Sequence, residues 1–207
     1  MGKKYILGID VGTTSVRTVL YDTKQHTIVN VEKVKFTQYF PKPGWVEHDP
    51  KEIWKCTEKT LNDTIKKFNL TDKDIYGIGI TNQRETTVAW NKDTLDSPCN
   101  AIVWQCRRTA DYCSSIKNKD DIKKRTGLIV DSYFSATKMR WMLNNVPEVK
   151  KLNKLNKLCF GTIDSFLIAK LTKGESFYTD VTNASRTMLY NINTLKWDEK
   201  LLKQFGI

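Results

Sequence analysis

The chain has 207 residues, 40% of them hydrophobic, 11% aromatic and 28% charged, a balance that excludes a disordered tail and a collagen-like repeat. This length allows one large domain or two small ones and buries roughly 70% of the surface the unfolded chain exposes, so no disulfide or metal staple is required. The formal net charge of +11, from 34 Lys and Arg against 23 Asp and Glu, raises a polyanion as partner, but the basic clusters are short and diluted, at Lys66-Lys67, Lys123-Lys124-Arg125 and Lys150-Lys151, which predicts a solvated lysine-rich surface instead.

From the N-terminus, Met1 to Gly8 carries no signal-peptide stretch, and Ile6 stands where myristoylation of Gly2 needs Ser or Thr. Three strands are predicted, Tyr5–Asp10, Ser15–Tyr21 and Thr27–Lys35, each with β-branched residues alternating between turns. Residues 40–50 hold three of the five prolines and predict a loop. A helix start follows, with Asp49 as N-cap, Pro50 at the first helical position and Glu52 placed to reach back. The helix runs to about Phe68 with an apolar stripe of Ile53, Trp54, Leu61, Ile65 and Phe68. A strand at Ile75–Thr81 carries Gly77 and Gly79 on one face, where close approach of another backbone is expected. Short strands at Thr86–Trp90 and Ala101–Trp104 precede helices at Arg107–Ile116, Lys119–Thr126 and Ser135–Asn144. A strand-to-helix unit at Leu155–Leu171 and a short helix at Asp198–Phe205 complete a mixed α/β pattern with helices on the sheet faces.

The five cysteines form no C-x-x-C pair and the histidines number two, which argues against a zinc site and a Cys–His nucleophile. Free thiols and a cytoplasmic, reducing location are expected. Charged residues interrupt every apolar run before it could span a bilayer, so no membrane insertion is expected.

Two constellations carry chemistry. In Asp10-Val11-Gly12-Thr13-Thr14-Ser15 a carboxylate ends a strand and a turn of small residues follows. Such a turn aims backbone N–H groups and hydroxyls at one spot suited to phosphate oxygens, and Asp10 can hold Mg²⁺, directly or through water. It lacks the Gly-Lys-Ser/Thr of a Walker A loop, and an ordinary hairpin turn accounts for the same residues. In the second, Arg84, Glu85, Trp104 and Tyr133 supply donors, an acceptor and an apolar wall for a polyol. A surface ion pair with two core aromatics is the structural alternative.

Taken together, residues 10–15, 41–50, 79–87, 100–109 and 182–189 closely resemble the glycerol kinases, and Tyr133 to Asn145 is similar to the signature of the wider carbohydrate-kinase family. The resemblance runs in order from about Tyr5 to Phe205. It implies the α/β fold of an actin-like, ribonuclease-H-like ATPase, of which residues 1–207 would form the glycerol- and phosphate-binding first lobe, truncated and without the second. It implies transfer of the γ-phosphoryl group of ATP to glycerol with Mg²⁺ as cofactor. Matched residue by residue, Gly12, Thr13, Thr14, Ser15 and Arg17 correspond to the ATP or ADP phosphate contacts, Asp10 to the metal-side carboxylate, and Arg84, Glu85, Trp104 and Tyr133 to the glycerol pocket. The aspartate resembling the family's base is expected beyond residue 207, so no catalytic base is assigned here and residues 1–207 alone are expected to be inactive. The likeness further implies a homo-oligomer, a dimer, for the full-length protein, and no nucleic-acid partner. Three other readings stay open on the residues: a kinase for another small polyol or sugar, a binding module without chemistry, and a basic nucleic-acid-binding domain.

Overall fold

The computed structural model describes residues 3–207; Met1 and Gly2, and the reading made at Gly2, lie outside the described residues. The chain divides into two units: Met1–Gln38 with Lys51–Gln83, and Tyr39–Pro50 with Arg84–Ile207.

In chain order the first elements are β1 (Tyr5–Val11), β2 (Ser15–Asp22), β3 (Thr27–Lys35), β4 (Glu47–His48), α1 (Pro50–Lys67) and β5 (Ile75–Asn82). Unit 1 holds one mixed sheet of order β3-β2-β1-β5, in which β1 runs antiparallel to β2 and parallel to β5. Alternation places Leu7, Ile9 and Val11 of β1 opposite Leu20, Thr18 and Val16 of β2, and all six are buried. These side chains share one sheet face, and α1 covers it, since the Thr18 hydroxyl donates to Thr60 Oγ1 at 2.8 Å.

The buried face of α1 differs from the predicted apolar stripe. Ile53 is buried as expected, but Cys56, Thr57, Thr60 and Thr64 are buried with it, while Leu61, Ile65 and Phe68 are only half-buried. Threonine suits this face because its methyl packs while its hydroxyl bonds a carbonyl one turn back. Thr57 donates to Ile53 O and Thr64 to Thr60 O, each at 2.9 Å. The close approach expected at Gly77 and Gly79 is not found among the described residues: a Cβ on either would meet nothing within 4 Å.

Unit 2 continues with β6 (Val88–Asn91), β7 (Ala101–Ile102), α2 (Ala110–Ser115), α3 (Lys119–Thr126), α4 (Ser135–Asn145), α5 (Pro147–Lys154), β8 (Leu158–Gly161), α6 (Ile163–Leu171), α7 (Val181–Ala184), β9 (Tyr190–Asn191), β10 (Lys196–Trp197) and α8 (Glu199–Phe205). It is built on two-stranded pairings, β4 with β7, β6 with β8 and β9 with β10. Two apolar clusters fill it. One gathers Ile122, Phe134, Met139, Met188, Leu201 and Phe205, the other Val46, Ile102, Val103, Met142 and Val149. Residues 147–154, which carry no predicted element, form α5, opened by Pro147 at the first helical position, a place that needs no N–H.

The predicted loop at 40–50 contains the short strand β4 at Glu47–His48, and aromatic and ionic contacts hold the segment. Arg108, its side chain 2% exposed, donates to Glu47 Oε1 at 2.6 Å. Its guanidinium carbon lies 3.9 Å from the ring centre of Trp45 and 4.7 Å from that of Trp141. A planar cation between two indoles gains cation–π attraction while its fork meets a carboxylate, a task lysine performs poorly.

Candidate active site

The predicted phosphate residues lie in unit 1, at the hairpin joining β1 to β2. Gly12 N–H donates to Ser15 O at 3.0 Å and tightens the turn. A Cβ on Gly12 would sit 3.6 Å from Ser15 O, an ordinary contact, so close packing does not demand glycine there. Thr14 is exposed, and neither its N–H nor its hydroxyl is bonded within the protein among the described residues. Thr13 is half-buried, and Ser15 opens β2 with only 3% of its surface exposed. Arg17 reaches across the hairpin register to Asp10, its Nη1 donating to Oδ2 at 2.9 Å. A half-exposed carboxylate beside a turn with an open hydroxyl and amide fits a phosphate chain carrying a divalent cation. No group of three or more His, Cys, Asp or Glu among the described residues is gathered to hold a metal by protein ligands alone.

The predicted polyol residues lie in unit 2, on three loops. Glu85 is 2% exposed and its backbone sits at φ 61°, in the left-handed region that a residue with a Cβ occupies at a cost. The surrounding loops hold it there. Ser135 Oγ donates to Glu85 O at 3.0 Å and Thr87 Oγ1 to the same oxygen at 3.1 Å. Trp104 N–H donates to Thr86 Oγ1 at 3.2 Å, tying its loop to the same stretch. The rings of Trp104 and Tyr133 meet edge to face at 5.4 Å.

A residue to which sequence reading assigns no role completes the cluster. Arg186 follows α7, and its Nε donates to Glu85 Oε1 at 2.6 Å. The same guanidinium lies 5.7 Å from the Tyr133 ring centre and 4.9 Å from that of Phe134. No other hydrogen bond reaches the Glu85 carboxylate among the described residues, so Oε2 remains an available acceptor. The structure therefore brings Glu85, Trp104 and Tyr133 together, with Arg186 linking two of them. Arg84 neighbours Glu85 in the chain, but its side chain is exposed and forms no ion pair among the described residues. The signal for Arg186 was its place in the run Thr182 to Leu189; its pairing with Glu85 spans 101 positions and no local pattern reports it.

Beneath Tyr133 lies Lys138, a fully buried lysine on the first turn of α4. Its Nζ donates to Ser132 O at 2.7 Å, to Phe134 O at 3.1 Å and to Tyr133 O. Burial pushes its ammonium down to about 7, since a low-dielectric interior disfavours charge. Burial raises the Asp131 carboxyl, but Tyr133 N–H at 2.7 Å and the Arg107 guanidinium together hold it below the usual carboxylate range. The loop that carries Tyr133 is thus fixed from both ends. A separate cavity of about 430 Å³ in unit 2, lined by Met139, Phe160, Thr162, Phe177, Leu189 and Trp197 among others, touches none of the predicted site residues. No helix among the described residues is long and apolar enough to cross a membrane.

Residues 5–207 match the FGGY family of carbohydrate kinases, N-terminal domain. The chain is 52% identical over 207 residues to the glycerol kinase of Parabacteroides distasonis, covering 99% of this chain and 41% of that protein. It is 52% identical over 208 residues to that of Treponema denticola, covering 99% and 42%. The crystal structure of Plasmodium falciparum glycerol kinase with ADP superposes with a TM-score of 0.91 at 42% identity, covering 100% of this chain and 42% of that one. Gluconate kinase from Lactobacillus acidophilus superposes with a TM-score of 0.83 at 28% identity, covering 99% and 40%. The chain spans about two-fifths of the length of the curated relatives it matches. With a family match over nearly every residue, a mixed sheet carrying a hydroxyl-rich turn, and the expected acid and aromatic residues gathered in one cluster, the chain belongs to the FGGY family of carbohydrate kinases and lies in that family's N-terminal domain.

Proposed function

We propose that these 207 residues form the glycerol- and phosphate-binding portion of an ATP-dependent glycerol kinase. The observation that carries the reading is the Glu85 cluster: a buried carboxylate with one oxygen engaged and one available, beside the edge-to-face pair Trp104 and Tyr133. A three-carbon polyol needs a hydroxyl acceptor and an apolar wall for its C–H face, and this cluster supplies both. The roughly 50% identity to glycerol kinases supports glycerol over a larger sugar.

In this reading Glu85 accepts from a glycerol hydroxyl, Arg84 and Tyr133 donate to its oxygens, and Trp104 packs along its carbon chain. Thr14, with Thr13, Ser15 and Arg17, meets the nucleotide phosphates, and Asp10 holds Mg²⁺, directly or through water. A divalent cation held there would supply charge neutralisation to the phosphates. A bond forms from a terminal glycerol oxygen to the γ-phosphorus as the bond to the β-phosphate oxygen breaks, so the residues named contribute mainly positioning. The hydroxyl proton passes to solvent or to a base that the residues named do not include.

The test is ADP release by the natural polypeptide that carries these residues, with MgATP and increasing glycerol. Saturable, glycerol-dependent release is expected. Release stimulated by another polyol and not by glycerol would move the substrate assignment, and no stimulation of a folded polypeptide would overturn the kinase reading.

A further inference from the structure

Among the described residues, the one hydrogen bond that the Arg186 side chain makes goes to the Glu85 carboxylate. Glu85 is 2% exposed, and a buried carboxylate without a counter-charge is strongly disfavoured. The Arg186 Nε bond at 2.6 Å supplies that charge from one direction and occupies only Oε1. The backbone of Glu85 is pinned independently by Ser135 and Thr87, so peptide and carboxylate are fixed by different parts of the chain. The guanidinium also lies against the rings of Tyr133 and Phe134, and its side chain keeps 27% exposure. Arg186 is itself seated by a short capped turn. Asp180 accepts from Asn183 N–H at 2.8 Å, Arg186 N–H donates to Asn183 O at 3.0 Å, and the next carbonyl, Thr187 O, receives Ala136 N–H from α4 at 2.8 Å.

We propose that Arg186 is a positioning residue for the polyol: it holds the Glu85 carboxylate in the one orientation that leaves Oε2 to accept a substrate hydroxyl, while its guanidinium backs the Tyr133 ring. The inference rests on the glycerol-kinase reading above. Planarity matters here, because only a guanidinium can bond a carboxylate through Nε and still stack on an aromatic face.

The experiment measures steady-state kinetics in the natural polypeptide for Arg186→Met, Arg186→Lys, Glu85→Gln and the Arg186→Met/Glu85→Gln double variant, each checked for a native melting transition. Arg186→Met is expected to raise the KM for glycerol by roughly tenfold or more while changing the KM for ATP less than about twofold. Arg186→Lys should recover part of the loss. In the Glu85→Gln background, Arg186→Met should add little, because the carboxylate it positions is gone. A parallel rise in both KM values, or full additivity of the two substitutions, would overturn the positioning role and leave Arg186 a general structural residue. Absence of glycerol-dependent turnover in the unmutated polypeptide would instead overturn the reading on which the role rests, so the two failures are distinguished by the wild-type trace.

Discussion

Single side chains decide the chemistry of unit 2 through burial. His48 lies in β4 opposite Ala101, with no surface exposed. Burial pushes its imidazole from 6.5 down to about 4. Above pH 6.5 the ring is neutral in both folded and unfolded chains and contributes nothing to pH dependence. Below it, the unfolded chain binds a proton that the folded chain refuses, and stability declines until the pH reaches about 4. The expected loss is on the order of 3 kcal/mol. Denaturant unfolding at pH 7 and pH 4 should show a smaller decline in His48→Gln than in the wild type; equal declines would mean that His48 titrates normally. Glu85 and Arg186 meet across 101 positions of sequence, which is why both were legible as members of separate motifs and their pairing was not.

At the scale of elements, local rules served where the signal was local. Asp49 and Pro50 marked the start of α1, and the alternation of β-branched residues placed β1, β2 and β3 within one residue of their ends. The face that α1 buries was misread, because a count of apolar residues overlooks threonines whose hydroxyls are satisfied by the helix itself. Residues 147–154 carried too few apolar positions to register, yet Val149 is fully buried there. β8 offers a test of packing. A Cβ on Gly161 would lie 2.8 Å from Ser165 Cβ and 2.9 Å from Trp90 Cη2, in contact with the β6 tryptophan. Gly161→Ala is therefore expected to destabilise unit 2 by about 1–3 kcal/mol through overpacking. Thermal unfolding followed by tryptophan fluorescence would measure it, and an unchanged midpoint would mean that Trp90 yields without cost.

For the whole molecule, the net charge of +11 is the feature most open to misreading. Several cations are already engaged: Lys4 with Asp22, Arg108 with Glu47, Arg125 with Asp121 and Asp198, Arg186 with Glu85. We expect no binding to duplex DNA at 150 mM salt; saturable binding whose logarithm falls steeply and linearly with the logarithm of salt concentration would restore the polyanion reading. Sequence by itself determined the strand–turn–strand start, the helix at Asp49-Pro50, the mixed α/β class and the run of motifs that marks the family, because each is written in neighbouring residues as turn chemistry, capping or alternation. Tertiary structure alone decided that Glu85 is buried at φ 61°, that Arg186 engages one of its oxygens and leaves the other available, that Lys138 braces the Tyr133 loop, and that Arg108 lies between two tryptophans. Those are contacts between residues distant in the chain, fixed by packing and by the cost of leaving a buried charge unpaired, and no local pattern carries them.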